Sequence, residues 1–253
     1  MPTREYVDLG TARSASGLRL IIPGGVPSPW SVAAKTFLDL KDIPALIVRK
    51  PRDNSVQEWT GVSNVPVLVY DDEPARSGWA EILAFLERNW PAVPLVPTDA
   101  EQRTRMFGLS HELLGEGGLM WCARLMLIDL SIENEGKRGF PLGVARYLAK
   151  RYGHTPGCSA TARMHVVERL GLFERALQGK RYYIADKLTA LDIYSAAVLA
   201  SLAVLPEEQC PMMPIARAAF GELSAQLEGA IPASLLEHRA YIHREHMPLP
   251  LTL

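Results

Sequence analysis

The stretch NVPVLVYDDEPARSGWAEIL, residues 64–83, sets a proline directly before a run of apolar strand-formers. Proline has no N–H for a sheet ladder, so Pro66 belongs at the first residue of a strand or on an edge. VLVY then reads as a strand and Asp71-Asp72-Glu73-Pro74 as a turn. Ala75-Arg76-Ser77 reads as a short return strand of a hairpin. From Gly78 the pattern changes to helical spacing, with Ile82, Leu83, Phe85 and Leu86 forming one apolar stripe.

Upstream, LRLII (18–22) is a strand candidate, broken by GGVPSP. WSVAAKTFLDLK has helical periodicity, with Val32, Ala33, Thr36, Phe37 and Leu40 on one face, and Ile43-Pro44 ends it. ALIVRK is a second strand, and a strand-helix-strand unit favours parallel pairing through a right-handed crossover. DNSVQEWTGVS is a polar connection with one helical turn. The order β-α-β-(α)-β-β-α is that of a small thioredoxin-like domain, residues 1–91.

Downstream, PAVPLVP is a stiff linker, and residues 98–253 form an all-helical domain. Thr98 and Glu101 make a capping box for a long helix running to about Ser131. IENEGKRGFPLG is a loop, and further helices are expected near 142–152, 159–178, 190–205, 212–228 and 232–246. In KLTALDIYSAA, Thr189 and Asp192 make a second capping box, with Leu188 and Ile193 at the ends of a hydrophobic staple. That motif folds the domain and binds nothing.

The chain has 253 residues, 48% hydrophobic and 22% charged, which fits a soluble globular protein. A net charge of -1 implies no strong pull toward nucleic acid or an anionic membrane. The first residues lack the apolar core of a secretory signal. IYSAAVLASLAVL is shorter than the ~20 residues of a membrane helix and reads as a buried core helix. Three scattered cysteines form no metal or redox motif and suggest a reducing compartment.

Taken together, the strand before PSPW, the NVPVL segment, the hairpin, the proline linker, the helical half and LTALDIYSAA resemble the cytosolic glutathione S-transferases. The chain resembles an atypical, bacterial-looking member of the serine type. The resemblance implies a cis Val65–Pro66 bond and a Val65 backbone that pairs with the cysteinyl backbone of glutathione. It also implies a homodimer, a cytoplasmic location, glutathione as cosubstrate and a small hydrophobic electrophile as partner. The family sets an acidic residue and a serine at the start of the helix after the hairpin, where N–H groups hold a carboxylate. Here Gly78 and Trp79 stand in those places, Ser77 lies two positions early, and Arg76 precedes it. Arg76 either pairs with a substrate carboxylate or is a solvent-facing charge at a strand end.

The reaction needs a thiolate, and a free thiol has a pKa of ~8.5. A hydrogen bond to the charged sulfur, worth roughly 1.5–3 kcal/mol, lowers that by one to two units. The donor candidates are Ser28 and Ser31 at the start of the first long helix, with Trp30 beside the site. Ser28 at N-cap and Pro29 at N1 also make a good helix start without catalysis. No cysteine lies in this region, so thiol-disulfide exchange is not expected. PGGVP lacks the Gly-Lys-Ser/Thr ending of a phosphate loop.

HELLGEGGLMWCARLML (111–127) is the candidate wall of a second-substrate pocket. Gly115, Gly117 and Gly118 interrupt a helical pattern at a cost of about 1 kcal/mol each, which suggests a kink or a close approach. A kink would let Met120 and Trp121 line a pocket with His111 beside it, and let Arg124 meet an anionic group. The alternative is a helix-helix contact with Trp121 in the core. HELLG lacks the second histidine of a zinc motif, and His238, His243 and His246 are expected on a solvated helix face, so no metal is expected. Besides a transferase, two readings stand: a glutathione-dependent isomerase or peroxidase, and a non-catalytic binding or scaffold protein on the same fold.

Overall fold

The computed structural model describes residues 4–25 and 27–253; Met1–Thr3 and Val26 of the PGGVP turn lie outside the described residues. Four strands are formed by Glu5–Val7 (β1), Leu18–Ile22 (β2), Leu46–Arg49 (β3) and Val67–Tyr70 (β4). Between and after them run the helices Leu9–Ser14 (α1), Pro29–Leu40 (α2), Ser55–Thr60 (α3) and Trp79–Asn89 (α4). The sheet order is β1-β3-β2-β4. β2 and β3 are parallel, as a strand-helix-strand unit requires, and β4 runs antiparallel to β2 with Leu20 opposite Leu68. Strand alternation sorts β2 between two apolar layers. Leu18, Leu20 and Ile22 join the main core with Phe37 and Leu83, while Ile21 faces a smaller cluster with Ala12, Val48 and Val56. Arg19 is buried on that second face, where its terminal nitrogens donate to the carbonyls of Gly17 (2.6 Å) and Asp71 (2.9 Å).

β1 and α1 were not expected from the sequence. β1 adds a parallel strand to the outer side of β3, with Tyr6 opposite Ile47. It is held by polar and aromatic contacts rather than by apolar alternation. Arg4 pairs with Asp39 at 2.7 Å, and the Arg49 guanidinium lies 4.6 Å from the Tyr6 ring centroid. The expected return strand at 75–77 shrinks to one bridge between Leu68 and Arg76. Pro74 has no N–H to extend it, and the chain turns into α4 two residues later.

The linker is clamped. The Lys41 ammonium, at the end of α2, meets Glu87 at 2.7 Å and donates to the carbonyls of Trp90 (2.9 Å) and Val93 (2.6 Å). The same Glu87 carboxylate accepts from the N–H groups of Leu95 (3.0 Å) and Val96 (3.3 Å).

Seven helices follow: Ala100–Leu114 (α5), Leu119–Glu133 (α6), Leu142–Tyr152 (α7), Ser159–Leu177 (α8), Ala190–Leu202 (α9), Pro214–Gln226 (α10) and Ala233–His246 (α11). The expected cap at Thr98 is corrected: Asp99 is the N-cap of α5 and accepts from the Gln102 N–H at 2.8 Å. The single long helix to Ser131 is also corrected, because the glycines break it into α5 and α6. The expected capping box of Thr189 and Asp192 is present. All of α9 is buried, and the Asp192 carboxylate accepts from the Thr189 N–H (2.8 Å) and hydroxyl (2.9 Å). It also accepts from the Tyr183 N–H at 3.0 Å and lies 3.2 Å from His238 Nε2.

The α11 histidines do not form a solvated face. Leu235, His238 and Ile242 share the buried side of α11, and His243 is buried beside them. His246 bonds the Tyr182 hydroxyl at 2.9 Å. Only Nδ1 of His243 finds a partner, the Met247 carbonyl at 3.3 Å, and Nε2 is sealed without one. Burial pushes this imidazole down to about 4, which Arg239 reinforces.

Asp192→Asn should cost on the order of 3 kcal/mol in urea denaturation, since buried donors lose their acceptor. The depressed His243 pKa stabilises the fold above its unfolded value near 6.5, and that stability drains as pH falls toward 4. Between pH 7.5 and 5 the loss should be about 2 kcal/mol, and a His243→Gln variant should flatten the urea-stability profile over that interval.

Candidate functional site

A cleft of about 910 Å³ opens between the start of α2, the approach to β4, and helices α5–α7. Ser28 is the N-cap of α2, with Pro29 at N1, and it lines the cleft. Its side chain makes no capping bond to the helix; its Oγ instead lies 3.1 Å from Ser31 Oγ. Ser31 is fully buried beneath it and does not reach the cleft. The hydroxyl therefore stands at the positive end of the α2 dipole, unspent on helix capping. Trp30 also lines the cleft and bridges to the helical half, its indole N–H donating to the Leu114 carbonyl at 3.3 Å.

Val65–Pro66 is cis, and both residues face the cleft. Among the described residues, neither peptide group of Val65 has a backbone partner. Ser77, Gly78 and Trp79 complete this side. Gly78 is the N-cap of α4, its N–H meeting the Glu81 carboxylate at 3.2 Å. Arg76 is placed differently from either expectation. It pairs with Glu73 at 2.6 Å, lies 4.2 Å from the Phe85 ring centroid, and is not on the cleft. The turn acid three residues earlier captures it.

On the helical wall, the three glycines act separately. A Cβ on Gly115 would collide with the His111 ring, and Gly117 has φ 73°. A Cβ on Gly118 would lie 2.8–3.0 Å from the carbonyl oxygens of His111, Glu112 and Gly115. This break turns Trp121 onto the cleft, where its ring lies 4.4 Å from Tyr152. Arg124 lines the cleft, and His111 sits exposed on the rim. Met120 is the correction: it faces the opposite side of α6, fully buried in the core.

Two groups on the cleft were missed. Lys50, Arg52, Asn54 and Gln57 come from the connection after β3. Two cations and two amides following a parallel strand are a signal, because ligands bind beyond the carboxyl ends of such strands. Tyr147, Leu148, Arg151 and Tyr152 come from α7. The i, i+4 spacing of Tyr147 with Arg151, and of Leu148 with Tyr152, marks one helix face.

Away from the cleft, Asp129, His154 and Cys158 offer donor atoms within 4.8 Å of one another. The Asp129 carboxylate meets His154 Nε2 at 2.7 Å and the N–H groups of Gly157 (3.2 Å) and Ser159 (3.1 Å). It thus braces the entry to α8.

No family model matches the sequence, and no curated protein matches it. Solved structures do match by fold. A glutathione S-transferase domain-containing protein of Marinobacter aquaeolei VT8 aligns with TM-score 0.65 and 15% identity, over 91% of this chain and 100% of that one. Rice GST1, in complex with glutathione, aligns with TM-score 0.63 and 14% identity over 94% of each chain. A glutathione S-transferase of Methylobacterium radiotolerans, in complex with glutathione sulfonate, aligns with TM-score 0.55 and 21% identity, over 94% of this chain and 98% of that one. The chain therefore has the glutathione S-transferase fold: a thioredoxin-like unit followed by an all-helical one. No helix among the described residues is long and apolar enough to cross a membrane.

Gly118→Ala should destabilise the protein by about 1–3 kcal/mol, because backbone oxygens cannot yield as a side chain does. Tryptophan emission of the native variant should also shift as Trp121 is displaced, which fluorescence and urea denaturation together will check.

Proposed function

We propose that the protein is a glutathione transferase, adding the glutathione thiolate to a small electrophile with a largely apolar or aromatic body. The observation that carries this reading is the Ser28 hydroxyl, free of capping duty at the positive end of α2, in the same cleft as a Val65 backbone that is unpaired among the described residues. Val65 can pair with the cysteinyl peptide of glutathione, and Ser77 with the Gly78 N-cap region can meet its γ-glutamyl end. Lys50, Arg52 and Gln57 supply donors for a carboxylate. The Ser28 hydroxyl, which donates to Ser31 Oγ at 3.1 Å, turns to donate to the sulfur when glutathione binds.

The thiolate attacks an electrophilic carbon, the new C–S bond forms, and any leaving group departs with its electron pair. No covalent bond to the protein is made. Relatives of this fold solved with glutathione or glutathione sulfonate support the cosubstrate. Residues 1–91 as the glutathione domain, 98–253 as the helical domain, a homodimer and a cytoplasmic location go with this reading. One observation favours the non-catalytic alternative: Gly78 and Trp79 occupy the places where the resemblance leads one to expect an acidic residue and a serine.

Glutathione titration followed by tryptophan fluorescence should saturate in the millimolar range or below, since Trp30, Trp79 and Trp121 line the cleft. Ser28→Ala should lower kcat by about 10–100-fold while changing the glutathione Kd less than about 3-fold, the signature of a bond made mainly to the thiolate. No binding at several millimolar glutathione would overturn the transferase in favour of the scaffold.

A further inference from the structure

Arg124 on α6 and Arg151 on α7 both face the cleft. The Arg124 guanidinium lies 4.8 Å from the Phe220 ring centroid and 5.5 Å from that of Phe140. Those rings hold its plane and leave its edges without acceptors. Its Nε is buried and unbonded. Among the described residues no carboxylate pairs with it. Burial disfavours its charge first; the Tyr152 hydroxyl favours it, and Arg151 disfavours it. Glu116 is the acid that the helical wall brings to the cleft, and it sits exposed at the rim. A guanidinium partly withdrawn from water, facing a second cation and no counter-ion, is costly unless a ligand supplies the anion. Beside the pair, Trp121 and Tyr152 form an aromatic wall.

We infer that the second substrate is an aromatic electrophile carrying a carboxylate or sulfonate, which Arg124 and Arg151 bind while its ring lies against Trp121 and Tyr152. The inference rests on the transferase reading for its chemistry. The anion site itself does not depend on glutathione. Glutathione's own carboxylates have Lys50 and Arg52 on the other wall, so the arginine pair is left for the partner molecule. With 4-chloro-3-nitrobenzoate as probe, the thiolate sulfur bonds to the chlorine-bearing carbon and chloride leaves with the C–Cl electron pair. The thiol proton goes to water.

The experiment has two arms. In the first, kcat/KM for 4-chloro-3-nitrobenzoate is compared with that for 4-chloro-3-nitrobenzamide at saturating glutathione. The wild type should favour the acid, and Arg124→Gln should lower the acid-to-amide ratio at least 10-fold. Arg124→Lys, which keeps charge but not the planar fork, should restore part of it. In the second arm, without glutathione, binding of 8-anilinonaphthalene-1-sulfonate and of uncharged N-phenyl-1-naphthylamine is followed by fluorescence. Arg124→Gln and the exposed-site variant Arg151→Gln should each weaken the sulfonate at least 5-fold relative to the uncharged probe, and added salt should do the same to the wild type. If glutathione does not bind but the sulfonate preference follows the arginines, the transferase falls and the anion site stands. If the wild type has no preference for the charged probes, or neither Arg124→Gln nor Arg151→Gln changes it, the anion site is overturned.

Discussion

One buried carboxylate organises the molecule. Asp192 collects donors from its own helix start, from the Tyr183 peptide just before it and from His238 of α11, 46 residues on. The start of α9, the loop that leads into it and a distant helix thus meet on one carboxylate. A lone buried charge is expensive, and this one is tolerated because its oxygens are met. It anchors α9, whose every residue is buried. α9 in turn carries Tyr194, which meets Phe37 edge-on at 5.2 Å and donates to the Trp79 carbonyl at 3.2 Å. The thioredoxin-like unit therefore rests on a helix whose position a carboxylate sets. The cleft exists because that docking brings α2 and α4 opposite α5–α7.

The strands β2 and β4 and the helices α7–α11 were legible in the sequence because apolar periodicity and caps agreed there. β1 was not, because three residues held by Arg4–Asp39 and an arginine over a tyrosine carry no alternation to detect. The α11 histidines misled for a related reason. Residue type suggested solvent, but His238 and His243 occupy core-facing positions, which only the packing of α11 on α9 reveals.

The cleft was half legible. Ser28, Trp30, Val65, Pro66 and Ser77 follow local motifs, and each lies on the cleft. Arg76 depended on which neighbour would win its charge, and an acid three residues away won over a distant ligand. Met120 depended on the exact turn of α6 after the glycine break, and a rotation of one residue separates it from Trp121. Lys50, Arg151 and Tyr147 reach the cleft from elements that have no local reason to converge; tertiary packing alone assembles them.

The clamp on the linker has a mechanical meaning. Lys41 and Glu87 bind the peptide groups of Trp90, Val93, Leu95 and Val96, and the Leu95 carbonyl accepts from the Ala190 N–H at 2.9 Å. A hinge between the two halves would have to tear these bonds together, exposing an ammonium that is almost wholly out of water. The two halves thus behave as one stiff jaw. The floor and the roof of the cleft are therefore riveted at their common root, through one amine and one acid.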